Sequence, residues 1–337
     1  MHDIRIIDDR PVSNGGPMRA VRHWLSLGLS VVLGVFIFCG CGPVQSDRVR
    51  EGEESKKRII ATTSLIGDLV GRIVGDTAEL SVLIPPGTDP HGYHFSPRDF
   101  VLITKADLVF LNGAELESQL NVLIRMARDR ARLLSDAKGL EPLRMGGACG
   151  NGHHHHHHHH GAMDPHFWTD PHRVKAWVRY IEQEVRAADP DHGPLYERNA
   201  KALLKELEDL DRWIEERVSR IPVEDRILVT DHYVFGYFAR RYGFREGGAL
   251  VRGLSTLSQP SARDLAELAT LLDAEGVPAI FVGVDVSGEL AERIAEDLGI
   301  RVIRVYTGAL SPPGGPAPDY IAYMRYNVNA FVEGLIP

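Results

Sequence analysis

Sixteen histidines stand in this chain of 337 residues, and they are unevenly placed. Eight form an unbroken tract: His153, His154, His155, His156, His157, His158, His159 and His160. Three others have marked contexts: His91 in "PPGTDPHGYHFSPRD", His166 in "DPHFWTDP" and His232 in "ILVTDHYVFGYF". All three fall in loop-like segments, where ligand-binding residues collect. Neutral imidazole is a good ligand for Zn²⁺, and three imidazoles leave a fourth position for a carboxylate or water. A lone loop histidine is more often a hydrogen-bonded residue than a ligand. Three of them spread over two similar halves of one chain point to a shared metal site.

The elements that must position them alternate. "RIIATTS" (58–64) reads as a strand, "LIGDLVGRIVG" as a helix, and residues 78–85 and 107–113 as two further strands. "SPRDFVLITKA" reads as a short helix with Pro97 in its first turn, where proline is tolerated. The chain then turns helical. No proline or glycine interrupts 195–221, where Leu203, Leu207, Leu210, Ile214 and Val218 share one stripe. Its acidic face is read as solvated, with Glu208 and Arg212 as a surface pair at helical spacing. Strands at 226–231, 279–284 and 301–306 follow, separated by helices, one of them opened by Ser261. Such alternation argues for parallel β/α units. The expected fold is α/β: two β/α lobes with parallel-type sheets, joined by a long backbone helix, with the ligand site in the cleft between them.

The expected boundaries are a signal peptide with a lipobox at 1–41, a flexible tether at 42–57 and an N-terminal lobe at 58–189. A connecting helix at 190–221 and a C-terminal lobe at 222–337 complete the chain. Met18 is the better start for the signal. From there Arg19 and Arg22 precede an apolar run, Trp24 to Phe38, of signal-peptide length and short for a membrane span. It ends in "FCGC", which resembles a bacterial lipobox and marks Cys41 for lipidation. Of the three cysteines two lie there, so the folded part carries no internal disulfide framework. The formal charge of -8 argues against nucleic acid as a partner.

The chain resembles the solute-binding proteins of ABC transporters that import zinc or manganese. The resemblance runs over roughly 58–336, through "ATTSLIGDLV", "GTDPHGYHFSPRD", "ADLVFLNGAELES", "DPHFWTDP", "YERNAKALLKELEDLD", "HYVFGYFARRYG", "VSGELAERIAEDLG" and "YMRYNVNAFV". It implies that the metal ligands are His91, His166 and His232, and that an ABC permease with its ATPase is the partner. A monomer held to the membrane by its lipid is expected. Zinc-type members often carry a His-rich loop before the second histidine ligand, where residues 146–162 lie. The tract therefore reads as a native accessory loop, not an inserted tag, and Cys149 beside it is soft enough to join in.

The chain departs from the family at the acids. Gly308 stands where a carboxylate is expected after the last strand, Gly283 replaces the acid of the "IFVE" type segment, position 94 is His94, and Tyr233 follows the third histidine. The fourth ligand is then water, Asp285 or, less favoured, His94. Three imidazoles without a carboxylate favour Zn²⁺ over Mn²⁺, which prefers oxygen-rich sites. Beside metal import stand a metal buffer, chaperone or adhesin without a permease, and a zinc metallohydrolase. The last lacks an HExxH motif. No enzymatic activity is expected.

Overall fold

The computed structural model describes residues 56–144 and 162–336. The signal segment, the tether up to residue 55, Cys149 and the octahistidine tract lie outside the described residues. The first strand, β1 (Lys57–Thr63), takes in the last residue expected of the tether. Among the described residues no helix is long and apolar enough to cross a membrane.

The N-terminal lobe is built from β1, α1 (Ser64–Val74), β2 (Ala78–Ile84), α2 (Pro97–Lys105), β3 (Leu108–Leu111), α3 (Asn121–Ala127) and β4 (Ala131–Leu133). Two long helices follow, α4 (Pro171–Ala188) and α5 (Gly193–Val218). The C-terminal lobe holds β5 (Ile227–His232), α6 (Gly236–Tyr242), β6 (Arg245–Val251), α7 (Ala262–Glu275), β7 (Ala279–Gly283), α8 (Glu289–Leu298), β8 (Arg301–Val305) and α9 (Tyr320–Leu335). Each lobe carries a four-stranded parallel sheet. The orders, β2-β1-β3-β4 and β6-β5-β7-β8, are the same topology written twice. In both sheets the chain steps first to one side of its opening strand and then to the other. That switch opens a crevice beyond the carboxyl ends of the strands, where open α/β sheets bind ligands.

The 26 residues of α5 span about 39 Å at 1.5 Å per residue. Its apolar stripe, including Leu203, Leu207, Leu210 and Ile214, is buried. The helix packs on α1 and α4 from one side and on α9 from the other, so one apolar core runs through both lobes. Two smaller clusters cover the outer faces of the sheets. The acidic face of α5 is solvated, but Arg212 pairs with Asp209 and not with Glu208. Asp209 is three residues away and also accepts from Lys205, which concentrates the positive charge there.

Helix starts are set locally. Ser96 and Asp99 form a capping box at α2, with Pro97 in its first turn, and Ser261 and Asp264 do the same at α7. Asp170 caps α4 by accepting from the His172 N–H at 2.8 Å, immediately after the His166 turn.

Candidate metal centre

The three histidines meet in the cleft. Their ring centroids form a nearly equilateral triangle with sides of 5.3, 5.3 and 5.2 Å. Among the described residues they make up the one group of three or more His, Cys, Asp or Glu whose ligand atoms all lie within 4.8 Å of one another. His91 Nε2 and His166 Nε2 are 3.2 Å apart. A tetrahedral ion with nitrogens at 2.0–2.1 Å would set neighbouring nitrogens roughly 3.4 Å apart. His232 Nε2 is buried without a hydrogen-bond partner, although a buried polar atom normally has one.

Each histidine is placed by an aspartate just before it. Asp164 Oδ1 accepts both the backbone N–H of His166 at 3.0 Å and its Nδ1 at 2.7 Å. Asp231 Oδ1 accepts the backbone N–H and Nδ1 of His232, each at 2.7 Å, while its Oδ2 accepts from the Gly283 N–H at 2.8 Å. With Nδ1–H engaged, Nε2 of each ring offers its lone pair to a metal when the ring is neutral, as in carboxylate–histidine–metal arrangements. For His91 the pattern changes. Asp89 Oδ1 accepts its backbone N–H at 2.9 Å, and Oδ2 accepts from the Thr256 hydroxyl of the opposite lobe.

The turn carrying His166 is fixed from the N-terminal sheet. Buried Glu117 accepts from the Thr62 hydroxyl and from the N–H groups of Asn112 and Gly113 at the end of β3. The Asn112 amide then donates to the Pro165 carbonyl at 2.9 Å. Trp168 packs edge-on to His166, and its indole N–H donates to the Thr307 carbonyl of the other lobe at 2.8 Å.

The electrostatics favour the neutral form of two imidazoles and the charged form of the third. Burial, then the neighbouring His166 and His232, lowers His91 to about 3. Burial and His232 also hold His166 well below its ordinary value. Burial would lower His232 too, but the hydrogen bond and charge of Asp231 outweigh it, with Asp89 and Asp285 adding, and its pKa is raised. Burial pushes Asp164 up to about 7, against the His166 N–H and the charges of His232 and Arg173.

Asp285 and His94 fall outside the close group of three. Asp285 sits beside it: burial, then the negative charge of Asp89, raises its pKa to about 6, and Thr307 Oγ1 lies 3.4 Å from its Oδ1. His94 is exposed. The two glycines at the acid positions are both sterically committed. A Cβ on Gly308 would lie 2.5 Å from Pro90 Cδ, and one on Gly283 2.7 Å from Asp285 Oδ1 and 3.0 Å from Asp231 Oδ2. The aspartates were not singled out from the sequence, yet Asp-Pro-His at 89–91 and 164–166 and Asp-His at 231–232 are visible in it.

Comparison with known proteins decides the family. The family model ZnuA, zinc-uptake complex component A periplasmic, matches residues 59–334. This chain belongs to that family. It is an exported metal-binding protein of the substrate-binding kind that serves ABC importers. Curated relatives include the manganese-binding lipoprotein MntA of Halalkalibacterium halodurans, 28% identical over 306 residues, covering 90% of this chain and 96% of that protein. Another is the iron-binding protein YfeA of Yersinia pestis, 28% identical over 280 residues, with 83% and 86% covered. Among solved structures, the periplasmic zinc-binding protein TroA of Treponema pallidum superposes with a TM-score of 0.76 at 25% identity, covering 84% of this chain and all of that one. The family's members thus divide over metals while sharing the fold.

Proposed function

We propose that the chain is a lipid-anchored receptor that captures Zn²⁺ outside the cytoplasmic membrane and hands it to an ABC permease and its ATPase. His91, His166 and His232 hold the ion, Cys41 carries the lipid, and the receptor works as a monomer without catalysing a reaction. The observation that carries this reading is the convergence of three imidazoles on one buried point, with His232 Nε2 unpartnered there. Such a nitrogen is costly to bury and is satisfied by a cation.

Zinc is favoured because the close group holds three nitrogens and no carboxylate oxygen. Water, or Asp285 after a small movement, completes the coordination. A second reading, a manganese receptor, is favoured by the relatives that are named as manganese-binding. The octahistidine tract serves as an accessory scavenger outside the transport site.

The test uses the chain from residue 42 onward with residues 153–160 deleted, purified without a metal column and stripped with chelator. Zn²⁺ and Mn²⁺ are then titrated against a competing chelator. One tight zinc site with weak manganese binding is expected. A tighter manganese site would replace zinc by manganese as the cargo. Loss of every tight site would overturn the cleft reading, with either the tract as the metal holder or the cleft disabled by its missing carboxylates.

A further inference from the structure

The loop carrying His91 is held by the opposite lobe at three points. Gly87 donates its backbone N–H to the Leu310 carbonyl at 2.8 Å. Pro90 packs against Gly308, where a Cβ would come within 2.5 Å. The Thr256 hydroxyl donates to Asp89 Oδ2. The third contact differs in kind, because the other oxygen of the same carboxylate accepts the backbone N–H of His91 at 2.9 Å. One side chain therefore couples the C-terminal lobe to a histidine of the centre. Thr256 is itself tied back toward His232: the Tyr233 N–H donates to the Gly253 carbonyl at 3.0 Å, three residues before Thr256. Through the segment from Gly253 to Thr256, hydrogen bonds thus link the His232 strand end to the His91 loop.

We propose that Thr256 and Asp89 form a latch that keeps His91 on the metal, and that opening this hydrogen bond is the step that frees His91 when the ion is released. The proposal rests on the metal-receptor reading given above. Both are positioning residues: neither of their side chains is in the close group of ligand atoms. His91 is suited to be the ligand that moves. It is 9% exposed, against 0% for His166 and 1% for His232. Its aspartate braces the backbone, whereas the other two aspartates lock the ring nitrogens. A hydrogen bond to an ionised carboxylate is strong enough to hold a loop, yet as a single bond it can open and re-form.

The test measures release of Zn²⁺ from the full chain, purified in mild detergent, stripped and reloaded with the metal alone. Stopped-flow mixing with excess chromogenic chelator follows the slowest phase, which separates the cleft ion from ions on the histidine tract. Thr256→Val removes the hydroxyl at nearly constant volume, and Thr256→Ser keeps it. The expected result is a slow phase about tenfold faster in Thr256→Val, the lower range for a hydrogen bond to a charged acceptor. Thr256→Ser should match the wild type, and all three proteins should retain one tight site. A Thr256→Val rate within twofold of wild type overturns the latch. Equal acceleration in Thr256→Ser overturns it as well, because the hydroxyl is then not the cause. A wild-type chain with no tight site overturns the receptor reading and the latch together, whereas a tight site with unchanged release overturns the latch alone.

Discussion

His166 and His232 are gripped by their rings, His91 by its backbone. In the first two, one aspartate oxygen takes both the main-chain N–H and Nδ1, so ring orientation and tautomer are set together. In the third, the aspartate sets the chain and sends its other oxygen across the cleft. These two ligands, one from each lobe, thus form a wall whose rings are held by the protein's own carboxylates. The third is held in place by a bond from the opposite lobe. Preorganised ligands add affinity because less ordering is left to the binding step. A ligand held through an interlobe bond gives a route for the ion to leave without dismantling the core that α5 runs through.

Removing the ligands themselves should have the largest effect. His232→Ala and His166→Ala should each abolish the tight zinc site. His91→Ala should leave a weakened but measurable one, since the two braced rings remain. Chelator-competition titration reads the difference, and equal loss in all three variants would mean the wall is no more preorganised than the gate. The next effect in size is Asp164→Asn, which weakens the bracing of His166 and leaves an acceptor for its backbone N–H. It should cost about 10–100-fold in zinc affinity, the usual range for a group that orients a metal-binding histidine. The loss should fall on the equilibrium constant, with one site retained. An affinity within threefold of wild type would show that the ring needs no brace.

The sequence made much of this visible, for identifiable reasons. The long helix showed itself because its leucine stripe is uninterrupted, and the capped helices because Ser261 and Pro97 stand at their first turns. Of the four edge strands, β2 and β8 were visible in the sequence, and β4 and β6 were not. β4 has three residues, and β6 contains Gly247 and Gly248, which carry no strand signal; they are tolerated because Ile227 and Leu268 crowd the space where side chains would be. The three histidines were legible from their settings at loop and strand ends. Their aspartates were legible in principle, one or two residues earlier each time. The packing of Pro90 on Gly308 was not, because it joins positions more than two hundred residues apart and exists only when the lobes are assembled. It does explain why the acid expected at 308 is missing: a side chain there would displace the loop that delivers His91.

The smallest effect to measure is protonic, and it sharpens the same contrast. His91, lowered to about 3, and His166, also lowered, are neutral at pH 6.5 and have no proton to give up. His232 is raised above its ordinary 6.5 by Asp231, so at that pH it is mostly charged, and zinc must displace its proton. Asp164, raised to about 7 by burial, is also largely protonated and should ionise once a cation sits behind His166. The signs follow from these shifts. The contribution of His232 to the stability of the metal-free chain is present below 6.5 and lost as pH rises through its raised value. That of His91 is present at neutral pH and lost as pH falls from 6.5 toward 3. Zinc affinity should therefore weaken on acidification below the raised His232 value. Calorimetry at pH 6.5 in buffers of different ionisation enthalpy should report release of between about one and two protons, since bound ligands must be deprotonated. In Asp164→Asn the count should fall to at most one, with His232 the remaining source. Release of three or more protons would mean that His91 or His166 is charged in the empty site as well. Two or more like charges in one cleft would then hold the lobes apart, and the wall would form only with the metal.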